Sequence, residues 1–171
     1  MIDISILETV AEISVALAGF AGIVATFQFR EGDAPSAGKI VSLTIIVNMG
    51  LSAGMFAFLP LLLFSMTSNE AFVWFVSSYS LAMYMCYMMF FVQKNMHGKV
   101  RRHRVRVLFS TYQVISGLLI VLLLLNGANI GVERGLGPYL LTLLYGLYMV
   151  GTNFIRLLLS PLWKRYRETA K

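Results

Sequence analysis

Charge and cysteine are both scarce in this chain. Of 171 residues, 13% are charged, about half the share usual in a soluble domain. Cys86 stands alone, so no intrachain disulfide can staple the fold. Aspartate occurs only at Asp3 and Asp33, outside every long apolar run, which excludes an intramembrane aspartyl dyad. His97 and His103 share one basic stretch, so no serine or cysteine in an apolar run has a histidine at its own depth to activate it. HExxH, CxxC and phosphate-loop motifs are missing. The opening Met1-Ile2-Asp3, followed by Glu8 and Glu12, lacks the basic stretch of a secretory signal peptide. No enzyme chemistry, cofactor or metal centre is therefore expected.

What the chain has is apolar sequence in bulk. Hydrophobic residues make up 58% of it, in long blocks instead of amphipathic stripes, which excludes a disordered chain or a coiled coil. A helix crossing the hydrocarbon core needs about 20 mostly apolar residues. Five segments qualify: 5–29, 40–66, 71–92, 107–126 and 138–162. The breaks carry turn chemistry: Arg30 to Pro35, Thr67-Ser68-Asn69-Glu70, Lys94 to Arg106, and Gly127 to Gly137. No linker is long enough for a second domain, and no internal repeat is visible. The expected fold is all-α, a five-helix transmembrane bundle forming one integral membrane domain over residues 1–171.

Basic residues predict its direction. The net charge of +6 comes mainly from Arg30 and Lys39, from Lys94, Lys99, Arg101, Arg102, Arg104 and Arg106, and from Lys164, Arg165, Arg167 and Lys171. With five spans these groups share one side, while the other side has Arg134 as its one basic residue. The positive-inside rule then puts the N-terminus outside and the C-terminus in the cytoplasm. Trp74 and Tyr139 are expected as aromatic anchors at the outer interface, and Trp163 and Tyr166 at the inner one.

The first helix carries two acids one turn apart. At 100° per residue, Glu8, Ala11, Glu12, Ala18, Gly19, Gly22 and Thr26 share a sector, while Ile6, Val10, Ile13, Leu17, Phe20 and Val24 lie opposite. Ser14, Ala18 and Gly22 repeat at the small-xxx-small spacing of close helix contacts. The expectation is that the acid-bearing sector packs against protein and the bulky stripe faces lipid. A carboxylate in hydrocarbon costs roughly 3 kcal/mol on the lenient insertion scale. Glu12 and Glu8 therefore either line an ion pathway or sit at the outer interface, where the positive end of the helix dipole also favours them. Arg134 is their expected partner.

The stretch Glu12-Ile-Ser-Val-Ala-Leu-Ala-Gly-Phe-Ala-Gly-Ile-Val24 resembles the opening helix of small, uncharacterised bacterial integral membrane proteins, in which an acid precedes an Ala-Gly-Phe-x-Gly core. The likeness covers one helix in five. It implies a bacterial inner (plasma) membrane and carries over no activity and no site residue.

Further polar groups fall within the spans. Asn48, Gln113, Asn153 and Arg156 have similar expected depth near the inner side, either as a shared cluster or as separate interhelical hydrogen bonds with Arg156 snorkelling. Gly50 and Gly54 have GxxxG spacing and are expected to pack against another helix. Met83, Met85, Cys86, Met88 and Met89 offer soft ligands of the kind that bind Cu(I). They wrap around their helix, however, as packing methionines do. The loop with Lys94, Lys99, Arg101, Arg102, Arg104 and Arg106 suits anionic lipid headgroups. It lacks the interleaved aromatics of a nucleic-acid site.

These observations point to a homo-oligomeric membrane channel or ion/proton pathway formed between subunits. The alternative is a non-conducting scaffold that binds a membrane protein partner through its small-residue faces.

Overall fold

The computed structural model describes residues 5–29, 37–96 and 103–169, with side chains described at 5–24, 26, 43–94 and 110–159. Hydrocarbon offers no partner to a backbone amide, so a crossing segment must satisfy its own N–H and C=O groups as a helix. Five helices result: α1 Ser5–Phe29, α2 Ala37–Met66, α3 Glu70–Met96, α4 His103–Ala128 and α5 Leu136–Thr169. All five are long and apolar enough to cross a membrane, over Ser5–Val24, Leu43–Met66, Glu70–Lys94, Ser110–Ala128 and Leu136–Leu159. No strand is present among the described residues. Winding continues past several expected limits, most of all in α5, because Lys, Arg and Glu are good helix formers outside the bilayer.

The distribution of side chains is that of a protein solvated by lipid. Met55, Met66, Met83 and Phe90 face outward, while Ser14, Ser77, Ser78, Asn126 and Thr142 are buried. The chain is an integral membrane protein by this pattern and by its five apolar helices.

Contacts divide it into two compact units, one built on Leu59–Thr142 and the other on Asp3–Phe58 with Leu143–Lys171. The division within α2 falls beside Pro60, which has no N–H to donate to the preceding turn.

In the first unit α3 and α4 pack together. The end of α4 meets the start of α3, so the two run antiparallel. At Gly127 a Cβ would lie 2.6 Å from the Tyr79 ring, and glycine is needed for that approach. The Tyr79 ring in turn lies 4.6 Å from that of Phe75. Asn126 is fully buried and ties three elements together. Its Nδ2 donates to Ser78 Oγ (2.9 Å) and to the Gly135 carbonyl (3.1 Å), and its Oδ1 accepts from Gly135 N (3.0 Å). The sequence pattern marks Asn126 only as the end of a span.

The end of α4 and the start of α3 are capped. Ile130 N donates to Leu125 O at 3.1 Å and Asn129 N to Asn126 O at 3.3 Å. With Asn129 at φ 58°, this is a Schellman-type stop for α4. Asn69 Oδ1 accepts from Phe72 N at 3.2 Å and caps the start of α3.

Trp74 and Tyr139 are not interfacial anchors. They are 2% and 0% exposed, and the Trp74 ring stands edge-on to Phe64 (5.8 Å) and to Tyr139 (5.9 Å). An aromatic residue at a span end has the same hydropathy whether it turns to the headgroups or into the core. Here the neighbouring helices supply aromatic edges, which favour T-shaped packing.

Asn126→Ala should lower stability by about 1–3 kcal/mol, the cost of leaving buried partners unsatisfied. Thermal unfolding in detergent checks this, with Ser65→Ala, at an exposed position, as the silent control. An unchanged melting temperature for Asn126→Ala would show the network to be dispensable.

Candidate functional site in the first helix

The second unit brings α1 and α2 into close contact through small residues. A Cβ built at Gly50 would lie 3.4 Å from Ala18 Cβ and 3.5 Å from the Ser14 carbonyl. One built at Gly54 would lie 3.5 Å from Ser14 Cβ and 3.8 Å from the Ala11 carbonyl. Later positions in α2 meet earlier ones in α1, so the helices are antiparallel. Ser14 Oγ donates to Val10 O of its own helix at 2.6 Å, so the contact carries no unsatisfied hydroxyl.

The buried face of α1 consists of Leu7, Val10, Ala11, Ser14, Ala18 and Ala21. Its middle lies about a third of a turn from the acids, at 100° per residue. Three expectations are corrected by this rotation: the acid-bearing sector does not pack against protein as a whole, since Glu8, Glu12, Gly19 and Thr26 are exposed and only Ala11 and Ala18 of it are buried. Val10 is inside and does not face lipid, and Gly22 is exposed with no atom within 4 Å of a Cβ built there. Small residues cover more than half of the helix circumference, so their spacing alone does not tell which part meets α2.

The rotation leaves a second seam unused within the chain. Ser5, Thr9, Glu12, Ala16, Gly19, Ile23 and Thr26 recur at alternating spacings of four and three, and every one is exposed. Thr9 Oγ1 donates to Ser5 O (3.1 Å) and Thr26 Oγ1 to Gly22 O (2.9 Å), so these hydroxyls are satisfied within the helix. Among the described residues no hydrogen bond or ion pair engages the Glu12 carboxylate, and Glu8 beside the seam is likewise exposed. Glu12 stands about 10 Å along the helix axis from Ser5, two turns into the span. Ile6, Ile13 and Phe20, bulky and exposed, follow one another at seven-residue spacing on the neighbouring flank.

Ser52 Oγ donates to Asn48 Oδ1 at 3.5 Å, and Asn153 Nδ2 donates to Met149 O at 2.8 Å. Both residues are half-buried, and Arg156 is exposed. Gln113 is half-buried in the first unit. So is Arg134, whose Nη1 donates to the Ala71 carbonyl at 3.2 Å and whose backbone N donates to Asn129 Oδ1 at 3.0 Å. Its described bonds thus hold the loop to the start of α3. Lys94 is exposed, whereas Lys99, Arg101 and Arg102 lie outside the described residues, as do the side chains of Arg104 and Arg106. Cys86 and Met83 are exposed but Met85 and Met88 are buried, which splits the sulfur ligands between opposite sides of α3. Among the described residues no three His, Cys, Asp or Glu side chains come together as a metal site.

No protein-family model matches the chain, and neither a curated protein nor a solved structure shows significant similarity to it.

The two seams respond differently to bulk. Gly54→Leu should destabilise the fold by about 1–3 kcal/mol or more through overpacking against Ser14. Gly19→Leu and Gly22→Leu should leave the melting temperature of the monomer near that of the parent, because their Cβ positions are open. Unfolding in a detergent that keeps the chain monomeric would test the contrast. Equal damage from all three would refute the assignment of faces.

Proposed function

We propose that the chain assembles as a homo-oligomer in which the exposed seams of α1 meet around a symmetry axis and form a pathway for cations or protons. Glu12 stands at the outer end of this pathway. The observation that carries the reading is the exposure of Glu12 on a small and polar seam inside an apolar span. Were that seam lipid-facing, the carboxylate would cost roughly 3 kcal/mol with nothing gained from Ala16 and Gly19. Against another α1 the small residues permit close approach. The acids then form a ring that draws cations, as acidic rings do in cation-selective pores. Five helices are too few to enclose a wide pore within one chain, so a path between subunits of a closed symmetric ring is the simpler construction.

Lysine and arginine supply the orientation: N-terminus and Glu12 outside, the segment from Lys94 to Arg106 and the C-terminal end inside. Asn48, Asn153 and Arg156 would then line or flank the inner end, with Gln113 at a comparable depth. The setting is a bacterial inner membrane, as the resemblance of α1 implies, and the segment from Lys94 to Arg106 meets anionic headgroups there. The assembly conducts and does not catalyse.

Reconstitution into planar bilayers is the direct test. The oligomer should pass cation or proton current, and Glu12→Gln should lower cation selectivity without changing subunit number. Gly19→Leu should weaken assembly while the monomer stays folded. A purified oligomer that passes no current under any potential or pH gradient would leave α1 as a scaffold that binds partner helices. For orientation, a cysteine placed at Arg102 on a Cys86→Ser background should resist an impermeant reagent added to intact cells. Labelling from outside would reverse the topology.

A further inference from the structure

Hydroxyls in these helices have a default partner. Thr9, Ser14, Thr26 and Thr142 each donate to the carbonyl four residues back, and Ser65 and Thr152 to the one three back. Ser77 departs from this pattern. It is fully buried in α3, yet its Oγ has no partner among the described residues. The Val73 carbonyl, four residues back, is the acceptor that a helical serine ordinarily takes. A buried hydroxyl that forgoes it is costly unless something else accepts its proton.

A second hydroxyl stands at the same depth on α5. The ring of Trp74 in α3 lies 5.9 Å from that of Tyr139 in α5. Arg134, just before α5, donates to the Ala71 carbonyl near the start of α3. Contacts thus advance along both helices in the same sense, so α3 and α5 run parallel here. Positions three apart occupy successive layers of one helix–helix seam. Ser77 and Thr142 each come three residues after a ring, about 4.5 Å further along the axis. Thr142 is 1% exposed. Its proton goes to Pro138 O, which leaves the oxygen free to accept. Ser77 Oγ and Thr142 Oγ1 are not bonded to each other. Two large rings set the helix separation in one layer, and serine and threonine in the next are too short to close it.

We propose that a buried water bridges Ser77 Oγ to Thr142 Oγ1 and so joins α3 to α5. Ser77 donates its proton to the water oxygen, and the water donates one of its own to Thr142 Oγ1. Two polar partners suffice to hold a buried water, and such a bridge is enthalpically close to a direct bond. Water suits the site better than an ion, because both side chains are neutral and burial opposes an unpaired charge. The bridge lies next to the bond between Ser78 and Asn126, and it stands whether or not the assembly conducts.

A map of the whole chain at a resolution that shows ordered water should have density about 2.8 Å from both oxygens. A map without it, or with Ser77 Oγ turned onto Val73 O, would overturn the proposal. Thermal unfolding in detergent gives a second decision. S77A and T142V should each lower the melting temperature. The double variant should lower it by less than the sum of the two, because either change alone releases the water. Additive losses would refute the bridge. So would an S77A chain that melts at or above the parent, since a dry, unpaired hydroxyl is better replaced by an apolar group. Should a variant fail to fold, the map of the unaltered chain decides alone.

Discussion

Hydrocarbon supplies no hydrogen-bond partner, and the rest of this structure follows from that single constraint. It winds all five apolar segments into helices. It turns the hydroxyls of Thr9, Ser14, Thr26 and Thr142 back onto carbonyls of their own helices. It also makes Asn126 a hub, since a buried amide is tolerable when its donors and acceptor are engaged at once. Ser78 and both backbone groups of Gly135 meet that requirement. Two buried atoms, Ser77 Oγ and Arg134 Nε, are without a partner among the described residues. Glu12 is a different exception, because it is exposed within an apolar span instead of buried.

Close packing in this chain relies on removing side chains. Burial against lipid gains little from apolar contact, since lipid tails are as apolar as leucine. What α1 and α2 gain instead is proximity: Gly50 and Gly54 allow the backbone of α2 to lie against Ser14 and Ala18. The same device appears at Gly127, where the backbone of α4 lies against the ring of Tyr79. The small surface of α1 extends further around the helix than α2 covers, and the uncovered part is the part that carries Glu12. One helix thus has an inward seam that serves the fold and an outward seam that serves the proposed assembly.

Beyond the hydrocarbon the physics changes from packing to electrostatics. Basic residues cluster where the apolar spans give out, near Lys94 and again after Leu162. In the proposed assembly they set the orientation and meet headgroups.

The number of helices was legible in the sequence because length and hydropathy are properties of the chain read along one dimension. Even there the limits slipped: hydropathy marks where lipid ends, and α5 continues as helix well past that point. The small-xxx-small spacings at Ser14/Ala18 and Gly50/Gly54 were also visible. Which of them would pair was not, since several helices carry small residues. The acids of α1 stood out by composition alone, but their exposure did not, because small residues on both sides of α1 made two faces equally suitable for packing. Trp74 and Tyr139 were misplaced for a related reason, a ring near a span end being equally at home at the interface or in the core. Asn126 gave no signal at all, because its partner Ser78 is 48 residues away. Sequence by itself determined the helices, their polar interruptions and the asymmetry of charge. Tertiary structure alone decided which face of α1 is buried and which polar groups close on one another, because both depend on atoms brought together from distant parts of the chain.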